Sequence, residues 1–140
     1  MDLPGIGEYT AGAVCSIAFG QPTPAVDGNV LRVLSRFLAD ASPITDPAVK
    51  KRAKTALEAV YPKEAPGAFT QALMELGATV CAPNGAPKCE ACPLKRHCRA
   101  HLEEKTALFP VKPQKKQRKT EQRTVFLLRC GDKLAIEKRP

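Results

Sequence analysis

The sequence predicts a mainly α-helical domain carrying a four-cysteine loop, followed by a linker and a small β-hairpin. Three observations predict it. Apolar residues recur at three- and four-residue spacing in successive segments between Tyr9 and Cys81; four cysteines crowd into Cys81 to Cys98; and beyond a lysine- and glutamine-rich stretch the pattern changes to two short strand-like runs.

Taken in order, Leu3-Pro4-Gly5-Ile6-Gly7 is a glycine turn lying within a few residues of Met1, ahead of any helix, so the chain is expected to begin in mid-architecture. Tyr9 to Phe19 reads as a helix with Ala11, Val14, Cys15 and Ala18 on one face, stopped by Gly20-Gln21-Pro22-Thr23-Pro24. A second helix follows Asp27, with Val30, Val33, Leu34, Phe37 and Leu38 as its apolar stripe and Arg32, Ser35 and Arg36 facing away. Asp46-Pro47 is an N-cap with proline in the first helical position and opens a third helix through about Val60, whose Lys50, Lys51, Arg52 and Lys54 read as a solvated face. A fourth spans about Ala68 to Cys81, burying Phe69, Leu73, Leu76 and Val80. Gly77 within it costs about 1 kcal/mol relative to alanine and is expected to allow close helix packing. From Pro110 to Arg123 no apolar period survives, which marks a basic linker; Thr124–Arg129 and Lys133–Lys138 then read as two strands joined at Cys130-Gly131-Asp132.

The 22 Lys+Arg against 14 Asp+Glu leave a net charge of +8, which favours an anionic partner, nucleic acid before membrane. The longest uncharged apolar run, Ala11–Gly20, falls far short of the roughly 20 residues of a membrane span. No secretory signal is visible at the start, so a reducing, cytoplasmic setting is the default and the cysteines read first as metal ligands or buried thiols. Cys15 and Cys130, outside the cluster's spacing, read as buried thiols.

Three motifs carry chemistry. In Leu3-Pro4-Gly5-Ile6-Gly7, two glycines one residue apart turn successive backbone N–H groups outward beside the positive end of a helix, a nest for an anion. With the leucine and proline before it and the apolar helix after it, the pattern resembles the helix-hairpin-helix motif, whose first helix would precede Met1. Val26-Asp27-Gly28-Asn29 places a carboxylate at the start of the second helix. Taken alone it is an N-cap; behind a phosphate-gripping hairpin it also suits the stabilisation of a sugar cation, the charge problem of breaking an N-glycosidic bond. Cys81-x7-Cys89-x2-Cys92-x5-Cys98 offers four soft ligands. They can close a tetrahedral zinc site or a [4Fe–4S] cluster; zinc sites usually show two C-x2-C knuckles and only Cys89/Cys92 forms one, which favours iron–sulfur and leaves zinc open. Lys88, Lys95, Arg96, His97 and Arg99 crowd the loop and suit it to a phosphate backbone.

In order and spacing these motifs resemble the endonuclease III superfamily of DNA glycosylases, and within it the MutY family of adenine glycosylases. The resemblance is close from Leu3 to Cys98 and weaker from there to Pro140. It implies a helix-hairpin-helix glycosylase domain over 1–109 with a [4Fe–4S] loop at 81–98, a linker over 110–123 and, over 124–140, the start of a truncated Nudix-like domain that reads 8-oxoguanine. The cluster ligands would be Cys81, Cys89, Cys92 and Cys98. Where bifunctional relatives carry a lysine nucleophile this chain has Tyr9, which cannot form a Schiff base. The resemblance therefore implies a monofunctional enzyme of base-excision repair, a monomer acting on double-stranded DNA of the bacterial nucleoid, which flips out and releases adenine mispaired with 8-oxoguanine or guanine. Asp27 would stabilise the sugar cation or its adduct with Tyr9 and Asn29 beside it; Leu3, Pro4, Gly5, Ile6, Gly7, Lys88 and Arg96 would hold the DNA.

Two departures qualify that expectation. The family's first cysteine interval is usually one residue shorter, and its general-acid glutamate and adenine-reading helices belong to a segment before Met1. The chain alone is therefore expected to be nearly inactive and to expose apolar helix faces. The alternatives are a thymine or uracil mismatch glycosylase of the same superfamily, against which the strands after Pro110 argue, and a non-catalytic DNA-binding module with structural zinc.

Overall fold

A computed structural model describes residues 3–113, 120–122 and 124–136. Four helices form the body: α1 (Glu8–Ile17), α2 (Gly28–Leu38), α3 (Pro47–Glu58) and α4 (Pro66–Glu75), the last running into a π-helical turn at Leu76–Val80. The cysteine loop follows as two 3₁₀ turns, Cys89–Ala91 and Lys95–His97, and a short helix α5 (Arg99–Leu102), with a further 3₁₀ turn at Thr106–Leu108. Two-residue strands β1 (Arg129–Cys130) and β2 (Lys133–Leu134) form an antiparallel hairpin, Arg129 opposite Leu134 and Cys130 opposite Lys133. Among the described residues no helix is long and apolar enough to cross a membrane.

Helix starts follow local chemistry. Asp27 caps α2, its Oδ1 accepting from the Val30 N–H at 2.8 Å, and Asp46 caps α3 by accepting from Ala48 at 2.8 Å, with Pro47 in the first turn. α2 lies at the centre, packed against α3, α4, the π turn and α5, while α1 packs on α4. The core is Val26, Val30, Leu57, Tyr61 and Leu73, bordered by Leu31, Leu34, Ala53, Phe69 and Met74. Tyr61 meets Phe69 edge-on, ring centroids 5.0 Å apart.

That central place overturns one expectation. Arg32, Ser35 and Arg36 do not face away: all three are buried, because α2 has neighbours on nearly every side and no solvent face to offer them. On α1 the buried residues are Gly12 and Ser16, and Val14 and Ala18 of the expected apolar face are exposed, with Ile17 and Phe19 beside them. Gly12 is required there, since a Cβ would stand 2.4 Å from the Pro24 carbonyl oxygen. In the fourth segment Leu73 is buried and Phe69, Leu76 and Val80 are half-buried; the helix does not stay α to Cys81 but widens at Leu76. The strands are also shorter than expected. No third strand pairs with residues 124–128 among the described residues, and Val125, Phe126, Leu127 and Leu128 stay exposed, as does Cys130, which is not a buried thiol. Cys15 is half-buried. The linker's Gln114–Lys119 and Arg123, and the second strand's Glu137 and Lys138, lie outside the described residues. The helical packing reaches into the stretch read as linker: Phe109 is buried and the Val111 carbonyl accepts from Ile44 N–H at 3.1 Å.

A buried hydroxyl chain ties α1 to α4. Tyr61 bonds Thr70 at 2.5 Å, Thr70 donates to Ser16 at 2.7 Å, and Ser16 donates to the Gly12 carbonyl at 2.8 Å. Thr70→Val keeps the shape, takes the partner from the buried Tyr61 hydroxyl and removes the donor to Ser16, which keeps its own bond to Gly12. We expect a loss of about 2 kcal/mol in urea unfolding; an unchanged midpoint would show that the chain contributes nothing.

Candidate functional site

The hairpin is built as the sequence implies. Ile6 N–H donates to the Leu3 carbonyl at 3.2 Å, and Gly5 takes φ +82°, a conformation that L side chains rarely adopt. Gly7 is the N-cap of α1 in extended conformation and offers no side chain, so the first N–H groups of the helix stay open. Leu3, Pro4, Gly5, Ile6 and Gly7 are all exposed.

Behind the hairpin, Tyr9, Asp27 and Asn29 line one open cleft, together with Gln71, Met74, Glu75 and Ala78. The three residues singled out from the sequence are thus brought together. The Tyr9 hydroxyl lies 4.0 Å from the Met74 sulfur. Asp27 Oδ2 accepts from Asn29 Nδ2 at 2.9 Å while Oδ1 is engaged by the helix, so the cap bond and the Asn29 bond together orient the carboxylate. Sequence reasoning missed the α4 side of the cleft. Gln71, Met74 and Glu75 share one face of α4 and Ala78 follows in the π turn, and that three- and four-residue spacing was the available signal.

From Asn29 a hydrogen-bonded chain runs inward. Its Oδ1 accepts from Arg32 at 2.7 Å; Arg32 also donates to the carbonyls of Cys81, at 2.7 Å, and Gly77. The π turn makes this possible. In an α-helix the Cys81 N–H would occupy the Gly77 carbonyl; here it donates to Leu76, five residues back, at 2.7 Å, and Gly77 is left to accept from Arg32. Gly77 also lets the turn approach: a Cβ there would stand 2.6 Å from Asn29 Cβ, the close packing expected of it. Burial pushes the Arg32 guanidinium below its ordinary value, Cys81 pulls it back up, Arg36 pushes down again and Asp27 pulls up. Arg36 continues the chain, donating to Cys81 Sγ at 3.2 Å.

Cys81, Cys89, Cys92 and Cys98 line one cavity, walled by Val33, Phe37, Leu76, Val80 and Leu94. Burial first, then the facing thiols of Cys98, Cys81 and Cys92, push the Cys89 thiol up. All six cysteines are free of disulfides. Among the described residues no three His, Cys, Asp or Glu side chains converge as the ligands of a single metal ion would. The thiols stand around a shared space. On the outer surface Lys88 and Arg96 are exposed and make no ion pair among the described residues, whereas Lys95 pairs with Glu90 at 2.8 Å and Arg99 with Glu103 at 3.6 Å.

No protein-family model matches the chain. It is similar to curated adenine DNA glycosylases: 52% identical over 103 residues to that of Schizosaccharomyces pombe (73% of this chain, 22% of the relative), 49% over 98 residues to that of Homo sapiens (70% and 18%), and 34% over 140 residues to that of Buchnera aphidicola from Baizongia pistaciae (98% and 38%). The chain thus spans about a fifth of the length of the first of these relatives. Among solved structures it is similar to a thermostable thymine-DNA glycosylase, at TM-score 0.63 and 33% identity, covering 73% of this chain and 46% of that one. It is also similar to endonuclease III in a trapped covalent intermediate with DNA, at TM-score 0.58 and 33% identity, covering 74% and 46%.

Proposed function

We propose that this chain, similar to the adenine DNA glycosylases, supplies the DNA-gripping hairpin, the catalytic carboxylate and the iron–sulfur site of an enzyme that hydrolyses the N-glycosidic bond of adenine opposite 8-oxoguanine or guanine. The observation that carries the reading is the convergence of Tyr9, Asp27 and Asn29 on one cleft directly behind the open N-terminus of α1. A phosphate held by the N–H groups after Gly7 fixes the backbone beside that cleft, so that a base turned out of the duplex enters it.

Asp27 then faces the sugar. As the bond to adenine breaks, positive charge develops on the sugar ring, and a carboxylate already oriented by Val30 and Asn29 stabilises it without reorganising. Tyr9, standing where a nucleophilic lysine would make a bifunctional enzyme, leaves water as the final acceptor. Protonation of adenine requires a general acid, which we assign to a segment of the enzyme outside these 140 residues. Lys88 and Arg96, both exposed and without an ion pair among the described residues, add phosphate contacts from the cysteine loop. The hairpin at 129–134 is read as the beginning of the 8-oxoguanine-recognising domain.

The donor set fits a [4Fe–4S] cluster held by Cys81, Cys89, Cys92 and Cys98. Four thiols line a common space, and only Cys89 and Cys92 form the C-x2-C knuckle of which zinc sites usually show two. The cluster would supply a rigid, thiolate-rich anchor for the loop that bears Lys88 and Arg96.

The structural likeness to a thymine-DNA glycosylase favours a second reading, a T:G mismatch enzyme. The higher identity to adenine glycosylases, 52% against 33%, favours adenine. The test is base release by the complete enzyme containing this segment, on duplexes with A opposite 8-oxoguanine and with T opposite G. We expect adenine; release of thymine alone overturns the reading. Metal analysis accompanies it: iron with sulfide is expected, and zinc without iron would replace the cluster by a structural zinc site.

A further inference from the structure

We propose that Arg36 is a positioning residue for the iron–sulfur site, clamping the two ends of the cysteine loop together and donating an N–H···S hydrogen bond to Cys81 that raises the reduction potential of the bound cluster. The inference rests on the [4Fe–4S] reading of the cysteines.

Arg36 is only 5% exposed, and among the described residues its acceptors lie where the chain enters the cysteine loop, at Cys81 and Ala82, and where it returns past α5, at Thr106 and Phe109. At the entrance it donates to Cys81 Sγ at 3.2 Å, to the Cys81 carbonyl at 3.3 Å and to the Ala82 carbonyl at 3.2 Å. At the exit it donates to the Phe109 carbonyl at 2.9 Å and the Thr106 carbonyl at 3.2 Å. Its own carbonyl accepts from the Cys98 thiol at 3.5 Å. One side chain of the central helix thus joins segments 24 or more residues apart that no sheet or long helix connects. A planar guanidinium with several fixed donors can do this; an ammonium cannot reach both ends at once.

The bond to sulfur has an electronic consequence. Four thiolates in a half-buried cavity concentrate negative charge, and a cation donating to one sulfur stabilises the more reduced, more negative state, which moves the potential up. Arg32 does not duplicate this role, because among the described residues it bonds the carbonyl of Cys81 and no sulfur.

The test uses the iron-loaded complete enzyme and compares Arg36→Lys and Arg36→Gln with the parent. Three readouts are followed: reduction potential by voltammetry, iron release to a chelator, and, in the parent alone, ¹⁵N hyperfine coupling from guanidinium-labelled arginine in the cluster's paramagnetic state. We expect a more negative potential in both variants and iron release about 10- to 100-fold faster in Arg36→Gln. We expect partial recovery of the release rate in Arg36→Lys, and a resolved ¹⁵N coupling in the parent. Unchanged potential and release in the variants, or no ¹⁵N coupling in the parent, overturns the role of Arg36 while leaving the cluster in place. Zinc in the purified protein would instead end the cluster reading on which the proposal stands. The labelled-parent measurement decides the sulfur bond even if neither variant folds.

Discussion

Asp27→Asn is expected to lower base release by about 10²- to 10³-fold or more while leaving duplex binding intact. The substitution separates the two jobs of this side chain. Asparagine caps a helix as well as aspartate, so the bond to Val30 N–H survives and α2 begins where it did. What disappears is the negative charge proposed to face the sugar. The contact with Asn29 also changes sign, because its Nδ2 now meets a second NH₂ group, and Asn29 cannot turn over freely while Arg32 holds its Oδ1. Single-turnover release from A opposite 8-oxoguanine, alongside binding to an uncleavable duplex, measures both parts in the complete enzyme. Turnover within tenfold of the parent would remove Asp27 from the mechanism.

Arg32→Met should cost about 3 kcal/mol of stability and slow base release in the molecules that remain folded. Methionine fills much of the same volume, so the loss is one of donors rather than of packing. Without the guanidinium, the Gly77 carbonyl is left in a buried place with no donor, the Cys81 carbonyl keeps only the longer bond from Arg36 at 3.3 Å, and Asn29 loses the partner that fixes its amide. Urea unfolding reads the first effect and single-turnover release under native conditions the second. Arg32→Lys is the control: it keeps the charge but cannot serve three acceptors, and should recover only part of the loss. A stability within about 0.5 kcal/mol of the parent would mean that the chain from Asn29 to Cys81 is incidental.

The parts of this architecture that were legible in the sequence are those written in local chemistry. Asp27 and Asp46 announce their helices because a cap needs only the residues beside it, and Gly5 and Gly7 announce a turn for the same reason. The meeting of Tyr9, Asp27 and Asn29 was also expected, through the order and spacing of motifs rather than through any contact visible in the sequence. Arg32 and Arg36 were not legible. Placing charged residues on a solvent face assumes that a helix has one, and α2 is enclosed by α3, α4, α5 and the π turn. Two arginines four residues apart, just after a candidate catalytic carboxylate and in a chain with four clustered thiols, were the clue to buried counter-charges. The π turn was illegible for another reason: one extra residue barely disturbs an apolar period that already wanders between three and four. The strands came out short because alternation marks what a segment would do with a partner, and among the described residues 124–127 pair with no strand, while Leu128 keeps only the bond from Ala135 N–H at 3.0 Å.

Length is not a neutral quantity along this chain. Each residue added to or removed from a helix swings everything after it by about 100° around the axis. Leu76–Val80 holds one residue more than an α-helical turn would, and that surplus sets the bearing on which Cys81 leaves α4. Deleting one of residues 78–80 would leave Cys81 four residues after Leu76, so its N–H would close that same bond as an ordinary α-helical turn, and the π geometry that leaves the Gly77 carbonyl to Arg32 would be lost. A few residues later the rule reverses: Pro83 to Ala86 are exposed, and Gly85 turns the chain at φ +73°. The stretch between Cys81 and Cys89 can therefore gain or lose a residue as loop, with the sulfurs on either side unmoved. Residue count is thus tied to a hydrogen-bond pattern before Cys81 and to an exposed glycine turn after it.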